Sequence, residues 1–383
     1  MKNRFYPLDI FRGITVAFMI LVNNPGSWSY IYAPLGHATW HGCTPTDLVF
    51  PFFLFAVGNS LSFVIPRLQA QGSGVFWQKT TRRTLLIFLV GLLLNWFPFI
   101  RYSADGLLEA KPWSSLRIMG VLQRIALCYF FASVMIYYLK AKGAFWCSLV
   151  LLAGYWLLCL ALGWPDPFSL QGWFGTGIDK WLLGEQHMYK GEGVAFDPEG
   201  IASTIPAIAQ VVAGYLTGNY IIQHMTSATG IPSGLRRLLL AAGACILAGW
   251  VWGQFFPINK KIWTSSYVLF SSGLAIALLV VITYITEIKH TKGWGKFFDV
   301  FGKNPLFIFV LSGVVARLYG LFRIKDMENG VAVYKGLGKW SYDHFFAPAF
   351  GNMNGSLLYA VFHVLVFFAI AWWLDKKRIY IRL

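Results

Sequence analysis

The sequence predicts an all-α, polytopic membrane protein, a bundle of about ten transmembrane helices in which residues 1–383 form a single domain. Hydrophobic residues make up 57% of the chain and charged residues only 13%, whereas soluble domains carry about 25% charged residues. Apolar runs long enough to cross a bilayer recur along the whole length. A composition of this kind requires a membrane as its solvent.

Each predicted span is an apolar run of about 20 residues, the length that a helix needs to cross the hydrocarbon. The first run follows a basic start and continues into polar sequence without a small-residue cleavage site, so we expect an uncleaved span and not a signal peptide. The ten runs cover residues 8–27, 46–65, 84–100, 118–139, 144–163, 203–223, 238–256, 264–286, 298–320 and 355–374.

Basic residues are concentrated in alternate loops, and this pattern orients the predicted spans. Cytoplasmic loops of membrane proteins carry an excess of Lys and Arg. With a cytoplasmic N-terminus, the inner loops hold Arg67, Lys79, Arg82, Arg83, Lys140, Lys142, Arg236, Arg237, Lys289, Lys292, Lys296, Lys376, Lys377 and Arg378. An even number of spans then returns the C-terminus to the cytoplasm. The longer loops, at about 28–45, 101–117, 164–202 and 321–354, fall on the outer side.

The net charge of +16 does not predict a nucleic-acid partner. The basic residues punctuate apolar runs instead of forming a patch on a water-exposed fold, and contact with membrane lipid explains them better. The five cysteines show no ligand spacing, so we expect no disulfide framework and no zinc site. His37 and His41 are four residues apart, but Pro and Gly around them favour a loop, and we expect no metal.

Polar residues gather where the first two predicted spans meet the outer side. Asn23 lies near the end of the first span, His37 and His41 follow in the loop, and Asp47 begins the second span. A carboxylate bonded to one imidazole nitrogen sets the tautomer and leaves the other nitrogen free to accept a proton. The segment is therefore a candidate for proton transfer, with solvated loop histidines as the alternative.

Ionisable residues within the predicted spans have two interpretations. Asp9 and Arg12 begin the first span three residues apart, a spacing typical of an ion pair on one helical face. Arg124, preceded by Gln123, lies well inside the fourth span. A buried salt bridge and a phosphate-binding guanidinium are equally compatible with that position.

Blocks of sequence along the chain resemble one family. The first four are LDIFRG at 8–13, LVNN at 21–24, HATWHG at 37–42 and TDLVFPFFLFAVGNS at 46–60. They closely resemble the heparan-α-glucosaminide N-acetyltransferase family, whose bacterial relatives form a transmembrane acyltransferase superfamily. Further blocks follow in the family's order: RIMGVLQR at 117–124, LLGEQHMY at 182–189, DPEGIASTI at 197–205, NKKIWTSSYV at 259–268 and GKNPLFIFV at 302–310.

The resemblance implies transfer of acetyl from cytoplasmic acetyl-CoA to the amine of a terminal glucosamine on the far side of the membrane. The family's catalytic histidine falls on His37, and its supporting residues fall on Asn23 and Asp47. His37 then acts as a general base or as a nucleophile that carries the acetyl group. Asn23 and His41 are both candidates for the donor that stabilises the thioester oxyanion. His41 stands where the animal enzyme has an asparagine, and the animal enzyme's N-terminal luminal domain is missing. The second of these departures leaves the acceptor open.

The remaining site predictions concern the two substrates. We expect the phosphates of CoA to be bound by Arg124 with Gln123, or by Lys303 with Asn304, because cationic and amide groups bind phosphate. The acceptor is an amino sugar or a glycan. Its expected contacts are His41, Trp40, Asp197, Glu199 and Trp263.

Two other functions remain open at this stage. A sugar transporter or flippase would use intramembrane ionisable residues as a path, but it does not explain the polar cluster at one face. An O-acetyltransferase of an envelope polysaccharide would use the same chemistry on a hydroxyl acceptor. The animal enzyme's N-terminal luminal domain has no counterpart in the sequence, so we expect a bacterial cytoplasmic (inner) membrane. A homodimer is compatible with the sequence.

Overall fold

The computed structural model describes residues 5–381 apart from 104, 226–229, 329 and 330. The chain is mostly helical, because a helix satisfies every backbone polar group within its own segment, as an apolar solvent requires. The helices are α1 Tyr6–Asn23, α2 Val49–Gln71, α3 Ser73–Trp96, α4 Val121–Leu162, α5 Gly175–Leu183, α6 Thr204–His224, α7 Gly230–Trp252, α8 Ser265–Thr283, α9 Gly295–Lys303, α10 Pro305–Leu321, α11 Leu337–Ser341, α12 Ala347–Phe350 and α13 Asn352–Lys376.

Seven helices in the described ranges are long and apolar enough to cross a membrane, and the number is eight if α9 and α10, bent by 83° against each other, form one span. The chain is therefore an integral, polytopic membrane protein with a helical fold, as predicted. Two features were not predicted. Antiparallel hairpins lie in the long loops, one formed by β1 Ile100–Tyr102 and β2 Leu108–Ala110, the other by β3 Arg323–Glu328 and β4 Val331–Gly336.

The main differences from the predicted spans lie in α4, in α3 and in the run that forms α9 and α10. α4 is a stretch of 42 residues with a break at Lys140, where φ is 55°, and the runs 118–139 and 144–163 correspond to its two parts. α3 begins eleven residues before the predicted run, because helix formation continues through basic residues that hydropathy excludes. The run 298–320 is interrupted after Asn304, since Pro305 starts a new helix and cannot continue the old one.

Glycine contacts bring α2 and α6 together. A Cβ on Gly58 in α2 would overlap the carbonyl oxygen of Val211, and one on Gly214 in α6 would overlap that of Phe55. Without these side chains the two backbones can approach closely, which is how transmembrane helices gain packing energy. The pair lies in a core that it shares with α4 and α8. This packing positions the start of α2, which follows the turn that carries Asp47.

The loops at one end of the bundle contact each other. Gly26, after α1, donates its N–H to the carbonyl of Ser356 at 3.3 Å, and Arg117, before α4, pairs with Asp197, before α6, at 2.6 Å. We call this the long-loop end; its connections are residues 24–48, 97–120, 163–203, 253–264 and 322–351.

The opposite end, the short-loop end, has its own contacts. Gln69 near the end of α2 donates Nε2–H to the carbonyl of Tyr137 at 3.0 Å. The hydroxyl of Tyr6 donates to the carbonyl of Lys292 at 3.1 Å. The start of α1, the α2–α3 turn and the break in α4 therefore lie at this end of the bundle.

Substitution of Gly58 tests the close crossing of α2 and α6. Gly58→Ala places a methyl group against a backbone carbonyl, and overpacking of this kind costs about 1–3 kcal/mol. We expect a lower thermal unfolding midpoint for the detergent-purified variant. Gly154→Ala in α4 is the matched control, because its Cβ would meet no described atom within 4 Å. Equal midpoints for the two variants would contradict the crossing.

Candidate active site

A cavity opens at the long-loop end, between α1, α2, α4 and α10. Its polar wall is formed by Asn23, His37, Thr46, Glu199 and Lys260. The other walls are apolar and are formed by Met19, Val22, Val49, Phe50, Phe53, Val121, Ile125 and Phe309. Met19 and Phe53 lie one helical turn deeper than Asn23 and Val49, so the cavity is polar at the loops and apolar towards the interior of the bundle.

His37 and Asp47 form the central pair of this wall. Nδ1 of His37 lies 2.7 Å from Oδ1 of Asp47, whose side chain is only 2% exposed. The other oxygen, Oδ2, accepts bonds from the backbone N–H of Ala38 at 3.1 Å, the N–H of Thr44 at 3.0 Å and the hydroxyl of Thr44 at 3.0 Å. Both oxygens are therefore engaged, and the carboxylate has one orientation.

The local sequence explains this arrangement. Thr44 caps the short 3₁₀ turn Pro45–Leu48 in a reciprocal box with Asp47, the pattern that satisfies the free N–H groups of a helix start. The hydroxyl of Tyr267 in α8 donates to the backbone carbonyl of Asp47 at 2.5 Å. The turn is thus attached to the helix bundle and not only to its own loop.

The Asp47 contact assigns the tautomer of His37. A carboxylate only accepts hydrogen bonds, so the 2.7 Å contact places the proton on Nδ1. Nε2 is then the unprotonated nitrogen and is available as a base or a nucleophile. The side chain is 45% exposed, so Nε2 is accessible to a substrate.

Lys260 adds a cation that the sequence did not single out, although the block at 259–268 contains it. Its Nζ lies 3.1 Å from Nδ1 of His37 and 3.5 Å from Oδ1 of Asp47. Because Nδ1 already carries a proton, the acceptor for the ammonium is Asp47. Burial lowers the pKa of Lys260, while the carboxylates of Asp47 and Glu199 act in the opposite direction.

Arg117 connects two carboxylates of the loop that precedes α6. Its Nε and Nη2 donate to the two oxygens of Asp197 at 3.0 and 2.6 Å, and Nη2 also donates to Glu199 at 2.5 Å. Burial alone would raise the pKa of Glu199, but Arg117 and Arg124 lower it overall. Glu199 therefore presents a carboxylate to the cavity. Asp197 is fully buried, so its contacts favour a structural role over its predicted acceptor contact.

Arg124 is completely buried and holds the same loop from the other side. Its Nη2 donates to the carbonyl of Gly200 at 3.1 Å and to the hydroxyl of Ser203, and its guanidinium lies 5.0 Å from the ring centre of Trp263. Gln123 and Trp263 are each 1% exposed. These contacts favour structural roles, and the predicted CoA and sugar contacts of the three side chains stay predictions.

Lys303 and Asn304 lie at the short-loop end. Lys303 pairs with Asp299 and with Asp375, each at 2.8 Å. Asn304 exchanges hydrogen bonds with the C-terminal segment, donating to the carbonyl of Ile379 at 3.0 Å and accepting from the N–H of Ile381 at 2.8 Å. Both residues attach the C-terminus to the bend between α9 and α10, and their predicted role in CoA binding stays a prediction.

His41 and Trp40 lie beside the cavity. Nδ1 of His41 accepts from Nδ2 of Asn259 at 3.4 Å, and burial lowers the pKa of His41. Trp40 donates Nε1–H to the carbonyl of Phe168 at 2.8 Å and packs on another ring of the loops. In the described part of the chain, the residues that line the cavity include Asn23 but neither of these two.

Comparisons with known proteins agree with the resemblance of the sequence blocks. A family model described as heparan-alpha-glucosaminide N-acetyltransferase, catalytic, matches residues 4–250. A human protein named heparan-alpha-glucosaminide N-acetyltransferase is 26% identical over 387 residues, which cover 86% of this chain and 56% of that protein. The mouse protein of the same name is 26% identical over 373 residues, 83% of this chain and 54% of its own. The chain thus spans about half the length of these relatives.

A buried carboxylate supports the loop that carries Glu199. Oδ1 of Asp179 in α5 accepts from the N–H groups of Ile201 at 2.9 Å and Ala202 at 3.1 Å. Burial raises the pKa of Asp179 from 3.8 to about 6, because a low-dielectric site disfavours its ionised form. The stability that Asp179 contributes is therefore fully present below pH 3.8 and is lost as the pH rises to about 6.

Asp179→Asn should remove this pH dependence, because the amide keeps the acceptor oxygen and cannot ionise. We expect its free energy of unfolding, relative to that of the unsubstituted protein, to rise by up to about 3 kcal/mol between about pH 4 and pH 6 and then to level off. The measurement is the thermal unfolding midpoint of both proteins across this pH range. Asp105→Asn, at an exposed position, is the control. A difference that is constant or falls over this range would exclude the assignment.

Proposed function

The chain belongs to the heparan-α-glucosaminide N-acetyltransferase family, and from that premise we propose that it transfers acetyl from acetyl-CoA to the amine of a glucosamine-type sugar. The observation that carries the proposal is the 2.7 Å pair of His37 and Asp47 at the polar end of the cavity. This pair presents an unprotonated imidazole nitrogen to a cavity whose other walls are apolar.

His37 supplies the proton transfer that the reaction needs. A sugar amine that attacks a thioester loses a proton, and the unprotonated Nε2 is the group that accepts it. In the alternative path Nε2 itself attacks the thioester, and the amine then attacks the acetylated imidazole. Both paths use the same nitrogen, and in both Asp47 keeps the ring oriented by holding Nδ1–H.

The two substrates are proposed to approach from opposite ends. The family resemblance implies a cytoplasmic donor, and the apolar walls formed by Met19, Phe53 and Phe309 lead from His37 into the bundle. They suit the acyl-carrying arm of the donor. Lys303 and Asn304, at the short-loop end, are closer to a cytoplasmic entrance than Arg124, which lies at the end that contains His37.

Contacts between loops support a topology of ten spans with both termini on one side of the membrane, and the distribution of Lys and Arg favours the cytoplasm as that side. Arg117 precedes α4 and Asp197 follows it, yet the two side chains meet. We infer that α4 leaves the long-loop end and returns to it, with the parts on either side of Lys140 as two spans. α3 is the remaining span, since it leads from the short-loop end at Gly72 to the loop that contains Arg117.

The carboxylate of Glu199 favours an amine acceptor over a hydroxyl. An amino sugar in its ammonium form is attracted to a carboxylate in a cavity with apolar walls, whereas a neutral hydroxyl gains less. A transporter or flippase is less well supported, because the ionisable residues that line the cavity meet at one end of the bundle and do not form a path through it.

His37 is the first residue to substitute. We expect His37→Ala to reduce acetyl transfer by about 10²–10⁴-fold, the usual contribution of general-base catalysis, and Asp47→Asn to lose a large part of the same activity. The measurement is product formation by the purified protein from labelled acetyl-CoA and a panel of amino sugars.

His41→Ala is the matched control for this loss, because it removes a second imidazole from the same loop. We expect a smaller defect. A folded but inactive His41→Ala protein beside an active His37→Ala protein would reverse the assignment. Sugar flux into liposomes that does not depend on CoA would instead support the transporter.

The topology is tested by reporter fusions. Fusions after Gly72, Lys140 and Lys296 should report the cytoplasm, and a fusion after Glu192 should report the outside. The Lys140 fusion distinguishes ten spans from eight, because an unbroken α4 would bury that position in the bilayer. An outside signal at Lys296 would exclude the proposed orientation.

A further inference from the structure

We propose that Lys260 is a catalytic residue whose ammonium donates hydrogen bonds to the acyl oxygen as that oxygen becomes negatively charged. The inference rests on the proposed acetyl transfer. It assigns to Lys260 the oxyanion contact for which the sequence offers Asn23 and His41. Lys260 is the one Lys or Arg side chain among the residues that line the described cavity.

The position of Lys260 is the first argument. Its Nζ lies 3.1 Å from Nδ1 of His37, and both side chains line the same cavity. The ammonium is therefore a neighbour of the imidazole whose Nε2 acts on the acyl group. A lysine stem has four carbons, so a small change of its torsion angles can direct the ammonium towards a carbonyl bound beside His37.

The hydrogen-bond capacity of Lys260 is the second argument. An ammonium has three N–H donors. Nδ1 of His37 is itself a donor and accepts none of them, and Asp47 accepts one through a long contact of 3.5 Å. Donors therefore remain for a ligand in the cavity. His41 is less suited to donate to a ligand, because its Nδ1 accepts a hydrogen bond from Asn259 and its ring lies beside the cavity.

The turn that carries Lys260 is held against the histidine loop. Gly42 donates its N–H to the carbonyl of Ile258 at 2.7 Å, and Trp263 donates its N–H to the carbonyl of Lys260 at 3.2 Å. The side chain of Lys260 is only 19% exposed. A donor with a fixed attachment in a partly desolvated site stabilises developing charge without reorganisation of water.

The step that Lys260 assists is formation and collapse of the tetrahedral intermediate. When the amine nitrogen attacks, the C–N bond forms and the carbonyl electron pair moves to oxygen, where Lys260 holds the charge. His37 takes the proton from the nitrogen. When the intermediate collapses, the C–S bond breaks, the sulfur leaves with the electron pair, and the proton from His37 converts it to a thiol. Lys260 neither gains nor loses a proton in this step.

The test compares Lys260→Met, which keeps the stem, with Lys260→Arg, which keeps the charge. We expect Lys260→Met to lower kcat by about 10²–10³-fold, the cost of removing one oxyanion donor, with an affinity for acetyl-CoA within about threefold of the unsubstituted protein. Lys260→Arg should recover at least about a tenth of the lost rate, because it restores a cationic donor.

Lys261→Met is the matched control, with the same change at the next position. Lys261 pairs with Glu192 at 2.6 Å, and we expect its kcat to stay within about threefold. A structural role for Lys260 predicts a different result: a lower thermal midpoint and weaker acetyl-CoA binding in parallel with the lower rate. That parallel loss, or a kcat for Lys260→Met within threefold of the unsubstituted protein, would overturn the proposal.

Hydrolysis of acetyl-CoA separates this proposal from the proposed function. Water attacks the same carbonyl and gives acetate and CoA, so the same oxyanion forms. If no amino sugar is acetylated, the proposed acceptor class is wrong, but Lys260→Met must still slow the hydrolysis by the same factor. Equal hydrolysis by Lys260→Met and the unsubstituted protein would overturn the assignment of Lys260 whatever the acceptor is.

Discussion

A buried carboxylate, Asp47, is the group on which the rest of the site depends. An ionised side chain that is 2% exposed is costly unless its oxygens are paired. Asp47 obtains partners from the histidine loop, from its own turn and from Lys260. The need to satisfy this one charge therefore holds two loops together, and it sets the tautomer of His37 as a consequence.

The loop that carries Glu199 follows the same principle with the signs reversed. Arg117 and Arg124 are cations in a poorly solvated environment, and they obtain partners from the loop that precedes α6. These contacts hold Glu199 at the cavity, while Asp197 is fully engaged in its ion pair. Two carboxylates two residues apart thus have different availability, because one is buried and the other lines an open space.

The membrane environment explains which parts of the fold were predictable. Apolar length is required for a helix in hydrocarbon, so the positions of the helices follow from composition. The bend at Pro305 does not follow from composition, since hydropathy indicates the solvent around a helix and not the direction in which the helix runs. The close approach of α2 and α6 at Gly58 depends on which helix faces meet. The presence of glycine does not by itself predict which faces these are.

Local sequence was enough to predict the solvent, the helical class, the family and the pair of His37 and Asp47, which are only ten residues apart. That pair was predictable because a capped turn forms from neighbouring residues. Tertiary structure decided what surrounds it. Lys260 is 223 residues from His37 in the chain, and it reaches the site because α2, α6 and α8 pack together. Contacts at such separation depend on the complementary surfaces of packed helices, which no local pattern encodes.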